Sequence, residues 1–214
     1  MKDETMKITK EILKSAGACT TEPLDRFGGV WDYGEWTKEV QLGALMGDLR
    51  HYLGWLWQDG IVPQWSMRGW DLRGADLSRA YLDGANFAGA ILDRVGIERA
   101  NIQNSGFYGA RIRGADLYGV NAEGCSFNCA NLNNSSFKEA NLRSAEFRKS
   151  DLSGVDFSGA DLSFVDFQGS DLRGADFTGA YLFGANFLLS WYDESQFDDA
   201  INVEKAHLQE LTPP

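Results

Sequence analysis

The 214-residue chain contains few of the residues on which metal-binding, disulfide-stabilised and many catalytic proteins depend. It has two His, three Cys and four Pro. Three Cys is an odd and small number for a disulfide framework, and that count fits a reducing compartment. The first ten residues, Met1 to Lys10, are too polar for a secretory signal. We therefore expect a cytoplasmic protein.

The chain also lacks a long apolar run and an excess of basic residues. No apolar stretch approaches the ~20 residues that span a bilayer, so no membrane segment is expected. The chain carries 20 Lys and Arg against 31 Asp and Glu, a net charge of −11. Because phosphate contacts need basic residues, direct nucleic-acid binding is not expected. Hydrophobic residues make up 43%, which is enough for a core and excludes disorder by composition.

Motifs for catalysis or metal binding are nearly absent. His51 and His207 lie in opposite flanking regions, and no Walker loop, CxxC or HExxH motif occurs. Cys125 and Cys129 fall in an inward and an outward slot of the repeat described below, which disfavours a disulfide or a shared metal. We predict no enzyme, no metal and no cofactor.

A five-residue repeat runs from Asp71 to about Phe197. Its large apolar centre recurs 26 times from Leu72 to Phe197 without an insertion. Two residues before the centre stands Ala, Ser, Val or Cys in 25 of 26 units, and one before it stands Asp or Asn in 15 of 26. A period of five fits neither helix nor strand, so it predicts a turn after each unit. The centre and the small residue then point inward, and Asp or Asn bonds to turn amides.

A second period gives the number of units in one coil. Phe recurs every 20 residues, so a coil has four sides and each ring is expected to stack on the ring one coil away. This core ladder consists of Phe87, Phe107, Phe127, Phe147, Phe167 and Phe187.

The units ADLSR, ANFAG, ANLNN, ADLSF and ADFTG resemble the pentapeptide repeat family. The resemblance covers residues 71–197. It implies a mainly β fold, a right-handed quadrilateral β-helix of about 6.5 coils.

The flanking regions lie outside the repeat. Residues 1–66 are predicted to form a small α-helical leader, with helices over 6–16 and 37–58, that is either a cap or a docking head. The β-helix is assigned to 67–200. Residues 201–214 are predicted to hold a short C-terminal helix, from Asn202 to Leu211, that is a second cap or a dimer contact.

The negative charge is concentrated near the C-terminal end of the repeat. Residues 150–200 have ten acids and one base, Arg173, whereas residues 70–149 have a net charge of +1. The position before the centre is often Asn in the first half and then Asp six times in succession. These six form the candidate acidic partner-binding surface, although solubility explains them equally well: Asp151, Asp156, Asp161, Asp166, Asp171 and Asp176.

Two kinds of function remain open at this point. The resemblance implies a non-catalytic protein-binding β-helix, since some family members are thought to mimic DNA and to bind type II topoisomerases, conferring quinolone resistance. Residues 150–200 span ~12 Å, which corresponds to ~7 phosphates of DNA, a charge comparable to their ten carboxylates. The expected partner is then gyrase or topoisomerase IV. The alternative is a scaffold of a bacterial or phage complex in which the leader docks a partner; the leader and the near-neutral early coils favour it.

Outward apolar residues cluster near the C-terminal end and predict an interface. Either the C-terminal helix folds over them or two chains form a homodimer there. They are Phe164, Tyr181, Phe183, Leu188, Leu189 and Trp191. Four Arg on one face of the early coils predict either a stripe for an acidic partner or a solvated face: Arg73, Arg94, Arg111 and Arg113.

Overall fold

The computed structural model describes residues 67–208. The chain divides into two compact units, Met1–Gln64 and Trp65–Pro214, and the described residues belong to the second. The predicted leader over 1–66, with its two helices, lies outside the described residues. So do residues 209–214.

Residues 67–208 form a four-sided β-helix whose strands are reduced to single-residue rungs. From Asp71 to Asp171, the residue before each centre forms a parallel bridge to the residue 20 positions later, as between Asp71 and Ile91. On the side that begins with Asp71 this register continues to Trp191. The predicted coil of 20 residues and four sides is confirmed. We number the sides by their first centres: side 1 starts at Leu72, side 2 at Leu77, side 3 at Leu82 and side 4 at Phe87.

Backbone hydrogen bonds between coils hold each rung. The Leu72 N–H donates to the Ile91 carbonyl at 2.7 Å, and the Ile91 N–H donates to the Trp70 carbonyl at 2.8 Å. Within each turn the N–H of the small residue donates to the carbonyl of the preceding centre, as from Ala75 to Leu72 at 3.1 Å. In the unit 95–99, for example, four of the five N–H groups and four of the five carbonyls are bonded in this way without any long strand.

All 26 predicted centres are buried. The small slots are also buried from Ala75 to Ser190, because a larger side chain would not fit beside the corner. Buried Ser in these slots donates to the carbonyl of a centre, either in the coil before, as from Ser105 Oγ to Leu82 at 2.7 Å, or three residues earlier in the chain, as from Ser170 Oγ to Phe167 at 2.6 Å. Polar residues therefore occupy the core without an unsatisfied hydroxyl.

The predicted Phe ladder is confirmed on side 4. Phe87 and Phe107 stack with ring centroids 4.8 Å apart, and Phe107 and Phe127 stack at 4.7 Å. A second Phe column, which was not predicted, lies on the opposite side 2 and begins at Phe137. Its rings meet the first column edge-on, as between Phe137 and Phe147 at 5.8 Å. The second column consists of Phe137, Phe157, Phe177 and Phe197.

The corner residue of each unit has a left-handed backbone. Its side chain lies over the corner of the next coil, where a Gly commonly stands. A Cβ on Gly184 (φ +69°) would meet Phe164 Cδ1 at 2.8 Å, and a Cβ on Gly154 would meet Asn134 Oδ1 at 2.6 Å. Gly at these corners therefore provides both the backbone conformation and the room for the side chain below.

The β-helix extends beyond the 26 predicted centres at both ends. Met67 is a fully buried centre whose N–H bonds to the Asn86 carbonyl, so the helix begins one unit before Leu72. At the other end the rungs extend to Ile201 and His207, which gives about seven coils rather than 6.5. The last rung joins Asn186 to His207, one residue more than the 20-residue register.

The predicted C-terminal α-helix over 202–211 is wrong for its described part. The structure has two short 3₁₀ helices here, Glu194–Phe197 and Val203–Lys205. Residues around His207 instead bond to the coil below, from the His207 N–H to the Ala185 carbonyl at 2.8 Å. Ser195, expected to point inward, is exposed because the first 3₁₀ helix interrupts the repeat.

Candidate protein-binding surfaces

The six consecutive Asp do not share one side of the rod. The coil period places two on side 1, two on side 2 and one each on sides 3 and 4. Each accepts a hydrogen bond at Oδ1 from the backbone N–H two residues later, as from Ser158 to Asp156 at 2.8 Å. Asn141 accepts the same bond from Arg143 at 3.2 Å. The turn therefore tolerates Asn or Asp, as the sequence indicated, and the charge is not needed for folding.

Three of the six carboxylates are paired with Arg of the same rod. The Arg143 Nη1 lies 3.3 Å from Asp161 Oδ2, the Arg148 Nε lies 2.6 Å from Asp166 Oδ2, and Arg173 Nη2 lies 2.6 Å from Asp171 Oδ2. The charges of these three are partly neutralised.

The other three are Asp151, Asp156 and Asp176, and no ion pair to them occurs within residues 67–208. Asp156 and Asp176 are neighbours in the bridge row of side 2, and Asp116 lies in the same row two coils before Asp156. We call Asp116, Asp156 and Asp176 the side-2 acidic row. This row was not predicted, although its successive members are 40 and 20 residues apart and the 20-residue period places them on one side.

The turn bonds and ion pairs also lower the pKa of several carboxyl groups. The side-chain hydrogen bond from Arg173 holds the pKa of Asp171 below its usual value. The hydrogen bonds from Thr178 lower the pKa of Asp176. Burial alone would raise the pKa of Asp161, but bonds from Ser163 and Arg143 outweigh it and the pKa is lowered. These carboxylates are charged at neutral pH.

The four Arg singled out in the early coils lie on side 1, around two carboxylates. Arg73 Nη2 is 2.6 Å from Asp71 Oδ2, and both Arg111 Nε and Arg113 Nη2 are 2.8 Å from Asp93 Oδ2. Arg73, Arg94 and Arg113 line an open groove together with Asn133 and Asn134. Internal pairing of three of the four Arg favours the solvated face over a stripe for an acidic partner.

The outward apolar residues form a collar around the C-terminal coils. Phe164 and Phe183 meet edge-on at 5.3 Å, and the Arg173 guanidinium lies over the Trp191 ring at 5.4 Å. The six side chains are 43–65% exposed, so the described C-terminal segment does not cover them. This apolar collar extends over sides 3, 4 and 1 and consists of Phe164, Tyr181, Phe183, Leu188, Leu189 and Trp191.

A cap closes the C-terminal end of the core above the collar. The rings of Tyr192 and Phe197 pack at 5.2 Å and lie over Phe187, and both are at most 8% exposed. Gln196 Nε2 donates to the carbonyls of Leu172 at 2.9 Å and Ala175 at 2.6 Å. At Ala175 the side-chain amide replaces the backbone N–H of Gln196, which the 3₁₀ turn directs to the Asp193 carbonyl at 3.0 Å instead. This role of Gln196 was not predictable from the sequence, since it depends on the 3₁₀ turn.

The two Cys of the repeat have opposite environments, as their slots predicted. Cys125 is buried and its Sγ donates to the Ile102 carbonyl at 2.8 Å, whereas Cys129 is exposed at a corner. Burial raises the pKa of the Cys125 thiol to about 12. Residues 67–208 contain no group of three or more His, Cys, Asp or Glu suited to a metal ion. The same residues include no helix long and apolar enough to cross a membrane.

Two family models match the β-helix. One, the pentapeptide repeat region, matches residues 120–197, and the other, pentapeptide repeats (8 copies), matches residues 71–107. Together they cover more than half of the chain, which belongs to the pentapeptide repeat family. No curated protein sequence matches the chain.

Several solved structures are similar to the chain at low identity. HetL, a pentapeptide repeat protein involved in heterocyst differentiation regulation in the cyanobacterium Nostoc sp. strain PCC 7120, is 24% identical, with 69% of each chain covered and a TM-score of 0.38. QnrB1, a plasmid-mediated fluoroquinolone resistance protein, is 20% identical; the match covers 63% of this chain and 88% of QnrB1, with a TM-score of 0.43. Rfr23 from the cyanobacterium Cyanothece 51142 is 21% identical over 66% of this chain and 89% of its own, with a TM-score of 0.34.

Proposed function

We propose that the protein is a non-catalytic β-helix that binds a basic, DNA-binding surface of a type II topoisomerase, gyrase or topoisomerase IV, by presenting acids in place of DNA phosphates. The observation that carries the proposal is the side-2 acidic row, because its carboxylates lie on one side of a rod without an ion pair in the described coils. Asp116 and Asp176 are exposed and Asp156 is half-buried.

The charge density supports the proposal even after internal pairing is considered. Residues 150–200 have a net charge of −9. Extending the segment to residue 143 adds Arg143, Arg148, Lys149 and Glu146 and leaves −7. This segment is about 2.9 coils, or ~14 Å, over which DNA carries about eight charges. A surface that binds a DNA backbone therefore meets a similar charge per length here.

The test compares two matched sets of Asp→Asn substitutions in a gyrase supercoiling assay. The first variant carries Asp116→Asn, Asp156→Asn and Asp176→Asn in the side-2 acidic row. The control carries Asp161→Asn, Asp166→Asn and Asp171→Asn, which removes the same formal charge from the ion-paired sites. Asn preserves the turn bond in both sets, as Asn141 shows.

We expect the unmodified protein to change gyrase supercoiling, the side-2 variant to lose about tenfold in potency, and the control to retain most of it. Equal losses in both variants mean that net charge alone matters and contradict a role for side 2. An unmodified protein without effect on gyrase and on topoisomerase IV overturns the proposal.

A further inference from the structure

We propose that the apolar collar is the docking site for a basic amphipathic segment of a partner protein. The inference rests on the proposed protein-binding role but on different residues from the side-2 acidic row. Its partner need not be a topoisomerase.

The collar holds six of the ten exposed large hydrophobic residues within residues 67–208. Its members lie on three neighbouring sides of the last coils, and their exposure reaches 63% for Leu189 and 65% for Trp191. Contiguous apolar surface of this kind marks interaction sites on soluble proteins. By contrast, the single exposed Tyr108 on side 4 of the early coils has no apolar neighbour of comparable exposure beside it and needs no partner.

The C-terminal cap indicates that the partner approaches the side of the β-helix rather than its end. Tyr192 and Phe197 close the core, and Gln196 already occupies the carbonyls of Leu172 and Ala175. On side 2 a partner strand therefore cannot continue the β-helix at those carbonyls. What remains open is the side-chain surface of the collar.

Charge complementarity selects the kind of partner. Four exposed acids lie in or beside the first 3₁₀ helix, which follows Trp191 of the collar in the chain, and none forms an ion pair within residues 67–208: Asp193, Glu194, Asp198 and Asp199. A second copy of this chain would bring a second −9 segment against the first. Anionic membranes and nucleic acids would be repelled in the same way. An apolar segment flanked by Lys and Arg can pack its apolar residues on the collar and place its basic residues near these acids.

The probe is a synthetic, fluorescein-labelled amphipathic helix of Leu and Lys, about 18 residues or five turns long. Binding to the full chain is measured by fluorescence anisotropy. Two control peptides replace Lys by Glu or Leu by Ser. We expect the Leu–Lys peptide to bind and both controls to bind about tenfold more weakly or worse.

The decisive variant carries Phe164→Asn and Leu189→Asn. Both positions have a left-handed backbone (φ 61° each), and Asn already occupies equivalent corners at Asn104 and Asn134, so the fold is expected to persist. Cys129→Asn is the matched control at an exposed corner outside the collar (φ 59°). A second collar variant, Trp191→Ser, tests the site independently if the double variant is unstable.

We expect the double variant and Trp191→Ser to bind the peptide about tenfold more weakly, and Cys129→Asn to bind as the unmodified chain does. Equal binding by all variants, or no binding, overturns the proposal. A dimer in light scattering that the double variant abolishes identifies a second copy as the occupant and also overturns it. So does a cross-link from residue 189 to residues 1–66 within one chain. Because this assay contains no topoisomerase, its outcome is independent of the supercoiling test.

Discussion

The early coils, residues 67–149, and the late coils, residues 150–208, share one backbone but differ inside and outside. The early coils are near neutral, and their side-2 centres are aliphatic at Leu77, Ile97 and Leu117 before Phe137, whereas the segment 150–200 has a net charge of −9 and Phe on two opposite sides. The rungs and turns are the same in both regions as far as Trp191. The backbone therefore constrains the size and polarity of the side chain at each slot. It does not determine the charge of the outward positions or whether a buried centre is aliphatic or aromatic.

The largest effect expected from this difference is in the core. Phe167 stacks on Phe147 and Phe187 and meets Phe157 and Phe177 edge-on. We expect Phe167→Ala to destabilise the protein by about 3–5 kcal/mol, measured by urea denaturation.

The matched early-coil variant is Phe107→Ala, whose ring stacks only on Phe87 and Phe127 in the described core. We expect it to cost about 1 kcal/mol less, because edge-on ring pairs add stability beyond area burial. An equal loss of unfolding free energy in the two variants would mean that the second Phe column fills space but adds no stability through its edge-on ring contacts.

A smaller effect is expected at the corners. In Gly184→Ala the new Cβ meets Phe164 Cδ1 at 2.8 Å, whereas at Gly109 nothing lies within 4 Å. Both substitutions place Ala in a left-handed backbone conformation, which lowers the free energy of unfolding by about 1–2 kcal/mol. We expect Gly184→Ala to lower it by about 1 kcal/mol more than Gly109→Ala, as measured by thermal denaturation.

The reason for that difference can be tested directly. In a Phe164→Gly background the clash is removed, so Gly184→Ala should then cost no more than Gly109→Ala. A persistent excess would show that another neighbour of Gly184 is responsible.

The cap of the late coils is expected to have a local effect. Gln196→Ala removes the donor to the Leu172 and Ala175 carbonyls, at about 1–3 kcal/mol. Hydrogen exchange should accelerate in the last two coils and remain unchanged near Phe87. Gln168→Ala, whose side-chain amide binds nothing within the described coils, is the control. Faster exchange throughout the rod would contradict a local cap.

The smallest effect expected is the dependence on acidic pH. The folded-state pKa of Asp171 is lowered from 3.8 by the hydrogen bond from Arg173, so this group stabilises the fold above pH 3.8 and loses that contribution as pH falls through its folded pKa. Asp176 has the same sign. The urea concentration at the unfolding midpoint should therefore decrease as the pH is lowered below about 4. Asp171→Asn should flatten this fall; an unchanged profile would exclude Asp171 as a contributor.

The regular part of the fold was predictable because its causes are local and repeated. The period of five, the four-sided coil, the buried centres and the Phe ladder follow from residue size and turn chemistry at each slot. The C-terminal end was not predictable in the same way. The spacing of Val203, Ala206 and Leu211 predicted a helix, but bonding of residues around His207 to the coil below is preferred because an open edge there would leave backbone groups unpaired.

The sequence was sufficient to identify the exposed residues of the candidate surfaces, but less so to predict which of them lie together. The outward direction of Phe164, Phe183 and Trp191 followed from their slots, and the structure brings them together in the collar. The six Asp were found as a run along the chain, yet the coil disperses them over four sides and pairs three of them with Arg.

The sequence by itself determined the coil, its period and the total charge, since each depends on what a residue is and on its place in a unit of five. Only the tertiary structure decided which acids remain without an ion pair and how the end is capped. Those outcomes depend on contacts between residues about 20 positions apart, such as Arg143 with Asp161 and Gln196 with Ala175. The distances between side chains in adjacent coils, rather than composition, determine where a partner can bind.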